Sequence, residues 1–409
     1  MKDFKPGNVL IDECSLTSKD GQRSYDIRRQ ARHIDIYESI LQPMIYGEII
    51  VADSIGLLRG FPILGEETLH IKFRTPTLTV IDLKLSVYSI SNIEPSDNNK
   101  LNMYTLKLCS PELLTNATQL MNKRYKNQIS TTIRNIVSTE LKSKKTIQVE
   151  ATRGIDDHLI SHLTPMETID KFRHRAVSPT NASSSYLFFE NPQGYHFKTL
   201  EGLIRAGKTK VADKVFFHDD NLDIKVSQIR FRDILDYKEI VDQDSIEKLH
   251  SGSFLNVVNK FDILTGNLKK VIYKNELFEN VFVNTADTPK NNTAAFKNEH
   301  GKTPARQFLV PFSSEHDEDY IGEKVGILHA FVEKVVQNIM IMLIYGDSSI
   351  TIGDVITCSF SLVNGLTGTA GSKQVTNNYL VSMVRHQITL FDRPVYLQSL
   401  QLLNSSLAY

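Results

Sequence analysis

The chain has 409 residues, and its 47 Lys plus Arg equal its 47 Asp plus Glu. A balance this even gives no general electrostatic pull toward nucleic acid or an anionic membrane, and little repulsion between copies. With 41% hydrophobic and 23% charged residues the chain is a folded protein rather than a disordered one, and its length asks for about two to four domains.

The N-terminus, Met1–Gly7, lacks the apolar run of a signal peptide, and the longest apolar stretch, Ile339–Tyr345, is too short to cross a bilayer. Cys14, Cys109 and Cys358 stand far apart with no CxxC pair, so neither a zinc knuckle nor a disulfide framework is expected. The expectation is a protein made in a reducing cytoplasm and soluble there.

The first 110 residues read as strands. Leu69, Ile71 and Phe73 alternate with polar residues, as do Ile81, Leu83, Leu85 and Val87, then Tyr104, Leu106 and Leu108. A period of two puts one face on a core and one in water, as in an antiparallel barrel or sandwich. Asp97-Asn98-Asn99 reads as the turn between the last two of these strands.

The period then changes. Ser110-Pro111-Glu112 predicts a capped helix start, and Ile133, Ile136, Val137 and Leu141 form one helical face with Ser130 or Thr131 as cap. Thr164-Pro165-Met166-Glu167 is a capping box with Pro at the first helical position. Tyr186–Phe189 and Tyr195–Phe197 flank a hairpin turn at Asn191–Gly194. Short strands and loops are expected over 215–285, and 284–306, rich in Thr, Asn, Lys and Pro, reads as a linker or surface loop. Val325, Leu328, Val332 and Val335 mark a helix leading into the strand Ile339–Tyr345. Ile356, Cys358, Phe360 and Leu362 alternate as a strand that buries the thiol, Asn364–Asn378 reads as a Gly/Thr/Ser-rich loop, and strands follow over Tyr379–Leu390 and Val395–Leu403.

Three clusters carry possible chemistry. Gly202-Leu203-Ile204-Arg205-Ala206-Gly207-Lys208-Thr209 has P-loop spacing, in which glycines let backbone amides wrap a phosphate, Lys reaches the outer phosphates and Thr holds magnesium. The helix that must follow is missing, because 210–218 runs into the strand-like Val215-Phe216-Phe217, so a solvated basic loop is expected. His158 and His162 have the spacing of metal ligands on a helix, but Pro165 ends any helix there, and exposed loop histidines are expected. Glu315, Asp317, Glu318 and Asp319 around His316 read as a solvated helix-start cluster. No GxSxG nucleophile motif is present. No catalytic, cofactor-binding or metal residue is assigned.

Specific segments resemble a known family. Ile40–Ser54 followed by Phe61–Glu67 resembles the first barrel of central baseplate hub proteins of contractile-tailed phages. Phe254-Leu255 with Phe261–Gly266 resembles that family's aromatic-Asp-x-x-Thr stretch, and Tyr345-Gly346-Asp347 through Ile350–Ile356 its second barrel, with Tyr379–His386 as a late strand. The resemblance implies a β-dominated α+β chain with two antiparallel, tail-tube-like barrels: the first from 1–110 plus about 200–240, an inserted α+β domain at 111–199, a connecting region at 241–306, and a helix plus the second barrel at 307–409. Hubs of this type, like the related part of type VI secretion spikes, are homotrimers whose six barrels join a six-fold tail tube to a three-fold central spike. The implied partners are therefore the tube protein, the spike and other baseplate subunits, with no cofactor, no nucleic-acid-specific binding and no membrane insertion. The implied place is the virion tail baseplate, assembled in the host cytoplasm. The competing readings are a P-loop enzyme using Lys208 and Thr209, and a peripheral baseplate or adhesin component.

Overall fold

The structure is a computed structural model, and it describes residues 5–61, 63–75, 79–95, 102–180, 184–208, 214–218, 231–241, 255–274, 306–312, 338–363, 372–391 and 393–404. The expected turn at 97–99, the helix over 325–335, the acidic run at 315–319 and residues 284–305 lie outside the described residues.

In chain order the elements are β1 (Leu10–Thr17), β2 (Ser24–Asp26), β3 (Ala31–Ser39), β4 (Tyr46–Asp53), α1 (Leu57–Gly60), β5 (Thr68–Arg74), β6 (Val80–Pro95) and β7 (Asn102–Cys109). Then come α2 (Glu112–Thr118), β8 (Met121–Asn127), α3 (Ile129–Asn135), β9 (Ile147–Val149), β10 (Asp156–Leu163), α4 (Pro165–Arg173), β11 (Tyr186–Asn191), β12 (Gly194–Thr199) and α5 (Leu200–Lys208). Among the described residues the remaining elements are strands: β13 (Val215–His218), β14 (Ile234–Val241), β15 (Leu255–Asp262), β16 (Leu268–Lys274), β17 (Arg306–Phe312), β18 (Asn338–Tyr345), β19 (Val355–Val363), β20 (Ser372–Thr389) and β21 (Val395–Asn404). The chain is β-dominated α+β, as expected.

One 13-stranded sheet contains both strand regions, and it curls into two barrels. The first runs β3-β4-β7-β6-β5-β1, every pair antiparallel. Its core holds Ile34, Ile36, Ile49, Ile71, Phe73, Leu85 and Leu106, the inward residues of the alternation. The second runs β14-β18-β21-β20-β19-β13, and a bridge between Phe217 and Asp233 brings its ends together. The segment 200–240 was expected with the first barrel. Instead β13 pairs β19 and β14 pairs β18, because Phe216 and Ile234 are inward residues of the second core. The expected loop at 364–378 is also shortened, since β20 already begins at Ser372 and pairs β19 from there.

The two barrels repeat one plan. In the first, Glu66 N–H donates to Val87 O and Val87 N–H to Glu67 O; in the second, Gly353 N–H donates to Val381 O and Val381 N–H to Asp354 O. The chain takes a positive φ at both places, 91° at Glu66 and 83° at Gly353, a conformation that glycine adopts freely and Glu66 holds despite its Cβ. β-Bulges also correspond. One follows Val87 in β6 and Val381 in β20, and another follows Ala31 in β3 and Ile234 in β14. The plans part at one edge, where β1–β5 is antiparallel and β13–β19 is parallel.

The β20–β21 hairpin belongs to both barrels. Residues 372–380 of β20 pair β19, while 383–389 pair β3 on the same edge. Just before β1, Asn8 bridges Val395 at the start of β21, so the hairpin end fills the gap between β3 and β1. Ile388 and Tyr396 enter the first core from there.

A third core lies between Met121 and Phe197, where α3, α4 and β11–β12 bury Ile133, Ile136, Val137, Ile169, Phe172 and Tyr195. The capping box at Thr164 forms as expected, with Thr164 Oγ1 accepting from Glu167 N–H. At α3 the N-cap is Gln128 rather than Ser130 or Thr131, because the helix starts earlier and Ser130 N–H donates to Thr152 Oγ1. At α2 the cap is Pro111, with Ser110 Oγ turned instead to Ile45 O and Glu190. Separately, β16-β15-β17 form a three-stranded sheet.

Candidate functional site

Where the two barrels meet, three strands bury a chain of polar side chains. Glu38 on β3, His386 on β20, and Tyr396 and Gln398 on β21 are each at most 1% exposed. Asp347 N–H donates to Gln398 Oε1 at 2.8 Å, which fixes the amide so that its NH2 faces His386 Nδ1 at 3.4 Å. Tyr396 OH reaches the same nitrogen at 2.6 Å. Burial, reinforced by the charges of Glu38 and Asp347, pushes this phenol well above its ordinary value, so it stays a donor. With two donors at Nδ1, the proton sits on Nε2 and is donated to Glu38 Oε1 at 2.8 Å, while Thr351 Oγ1 donates to Glu38 Oε2 at 3.2 Å. The chain runs from the second barrel's turn residues Asp347 and Thr351, through the shared β20–β21 hairpin, to Glu38 on β3 of the first barrel. Nearby, Ser348 of the second barrel donates to Thr79 O at 2.6 Å and meets Thr75 Oγ1 at 2.8 Å. On the outer side, Arg385 grips Asp35 at 3.1 and 3.0 Å and lies over the Tyr37 ring. Gly346 packs flat on the Tyr396 ring, where a Cβ would overlap ring atoms.

A second buried cluster ties the third core to the first barrel. Lys145 Nζ lies 2.6 Å from Glu190 and 2.7 Å from Glu112, and Ser110 Oγ donates to Glu190 at 2.6 Å. Burial raises the Glu190 carboxyl above its ordinary value. At Glu112 burial acts the same way, but Lys145 and Ser143 outweigh it and the carboxyl is lowered. A 460 Å3 cavity lies elsewhere, lined by Ile40, Leu41, Pro43, Met166, Ile169 and Phe188 among others, and none of the three charged groups lines it. The cluster is a clamp between elements.

His196, stacked on Phe189 and bonded to Asn191 Oδ1 at 2.8 Å, is pushed down to about 4 from its ordinary 6.5, by burial first and by Lys198 second. The folded protein therefore holds it neutral while the unfolded chain protonates near 6.5. Its contribution is present above that pH and is lost as pH falls toward 4, up to about 3 kcal/mol. In urea titrations across this window, His196→Gln should lose less stability on acidification than the parent; parallel pH profiles would contradict the assignment.

The P-loop-like segment is α5 itself. The expected basic loop is a helix because Leu203 and Ile204 are pulled into the second barrel's core with Leu200. Gly207 is where the helix lies against Val355, too close for a Cβ. Thr209 lies outside the described residues. His158 and His162 sit on β10, a strand rather than a loop, because that segment pairs β8 on both sides of a bulge at His162, where φ is 55°. Four residues along a strand separate them by roughly 13 Å, too far to share one ion. Cys358 is buried as expected, and its thiol is pushed up by burial.

No family model and no curated protein matches the chain. Solved structures do. The fold is similar to that of a tail protein from Neisseria meningitidis MC58, with a TM-score of 0.57 at 10% identity over 97% of this chain and 96% of that one. It is similar to the 43 kDa tail protein of prophage MuSo2 from Shewanella oneidensis, with a TM-score of 0.56 at 10% identity over 96% and 98%. A chain of a PdpA–VgrG complex matches with a TM-score of 0.53 at 9% identity, over 99% of this chain and 66% of that one. Identities this low speak for a shared fold, and the likeness spans nearly the whole chain.

Proposed function

We propose that the chain is the structural hub of a contractile phage-type tail, a homotrimer that adapts a six-fold tube to a three-fold spike. The observation that carries this reading is the repeated barrel plan within one chain. Three copies then offer six nearly equivalent barrels, and duplication replaces a second subunit type. The tail proteins that share the fold along the chain support the same reading.

On this reading the first barrel lies in residues 1–110, the inserted domain in 111–199, the connecting region in 241–306, and the second barrel in 307–409, completed by β13 and β14. The buried polar chains serve geometry rather than turnover, and the protein is not an enzyme. Its partners are the tube protein, the spike and neighbouring baseplate subunits, in the virion, after assembly in the host cytoplasm.

The reading expects a particle of three times 46.4 kDa by light scattering of the purified chain. A monomer at every concentration, or a ring of another order, would sink it.

A further inference from the structure

Within one chain the end of the β20–β21 hairpin fills the gap between β3 and β1. The first barrel has a hairpin of the same plan, β6–β7, and in the second barrel β14 runs on past the Phe217–Asp233 bridge that ties its start to β13, leaving an opening of the same plan among the described strands. β5 leaves β6 at Ser86, and Val87 makes the last bonds to the preceding turn. Beyond it, Ser89–Ser91 have no strand on that edge among the described residues. β14 ends the sheet: it pairs β18 on one edge, and over Lys238–Ile240 no described strand covers the other. In the second barrel, the equivalent β20 edge is covered by β3; in the first, the β3 edge equivalent to β14's is covered by β20.

We infer that the β6–β7 hairpin of one copy lies on the β14 edge of the next, repeating between copies the joint that β20 makes with β3 inside each. This rests on the trimeric reading above and deepens it, since it names the surfaces. The bulges set the register. Ser89, Ile90 and Ser91 follow the Val87 bulge as Met383, Val384 and Arg385 follow that at Val381. Ile240 and Val241 stand in β14 where Tyr37 and Glu38 stand in β3, counted from the matching bulges. Val384 faces Glu38 and Arg385 faces Tyr37. Ile90 should therefore face Val241 of the next copy, and Ser91 should face Ile240. The correspondence stops at Ser91, where β6 has a second register shift and Asn92 takes a φ of 54°.

The surfaces have the character of edges awaiting a partner. Ile240 is 43% exposed, and on the hairpin Tyr88 is 45%, Ile93 55% and Met103 38% exposed. Open sheet edges invite pairing, and flanking apolar side chains add burial to the ladder's hydrogen bonds. The contact is head-to-tail, with different surfaces on the two copies, as a cyclic trimer requires.

Paired cysteines give the test. The native Cys14, Cys109 and Cys358 are buried, so background cross-linking is low. The Ser91→Cys/Ile240→Cys variant and the Ile90→Cys/Val241→Cys variant, mildly oxidised, should run as covalent trimers on non-reducing gels. The slipped pair Ser89→Cys/Ile240→Cys and each single variant should not. A trimer by light scattering that yields no inter-chain band with either in-register pair overturns the pairing and leaves the hub reading standing. A monomer at all concentrations overturns both.

Discussion

Replacing Glu38 with alanine should cost roughly 2–4 kcal/mol, because it strands His386 Nε2–H and the Thr351 hydroxyl in a buried site and opens a cavity beside them. Both donors now end on its carboxylate, at 2.8 and 3.2 Å. Glu38→Gln keeps an oxygen for the imidazole and should lose about 1 kcal/mol. Urea unfolding at neutral pH measures both. Equal losses in the two variants would mean that the oxygen kept by glutamine does nothing for the imidazole, and would contradict the role of Glu38 Oε1 as the acceptor that ends the chain linking the barrels.

The second large effect is expected in the P-loop-like segment, and it separates two readings. Ile204→Ala should cost about 2–5 kcal/mol, since Ile204 is 1% exposed in the second core. The exposed Arg205→Ala should stay within about 0.5 kcal/mol. A phosphate-binding loop predicts another pattern, with the intervening residues tolerant and magnesium–nucleotide raising the melting temperature. A clear thermal shift with millimolar nucleotide would restore the enzyme reading.

The local structure was legible where a short-range pattern decides it. Alternation at Leu69, Ile71 and Phe73 marks an inward strand face, and Thr164 with Glu167 marks a helix start; both are as expected. Long-range pairing was not. Nothing in Val215–His218 says that it joins β19 rather than the first barrel, because four residues fit either sheet and only the inward volume decides. α5 was misread because glycines at P-loop spacing also suit a helix in close packing. The polar chain also has a signature in the sequence. Glu38 follows Ile34 and Ile36 at inward positions, His386 lies between Val384 and Ile388, and Gln398 between Tyr396 and Leu400. A polar residue on the core face of each of three strands indicates a buried network. Their distance in the chain hid that they meet.

The shared hairpin also sets an order of events during synthesis. His33 and Thr389 are bonded across 356 positions of sequence. At about 5–20 residues per second, a ribosome takes roughly 20–70 s between making the two. Throughout that time the edge of β3 waits without β20, and the first core lacks Ile388 and Tyr396. Contacts this remote are slow to form, and an open edge in the meantime is exposed to mispairing. Completion of the first barrel therefore reports that the last strands have been made, so a chain truncated before β20 lacks a finished barrel at either end.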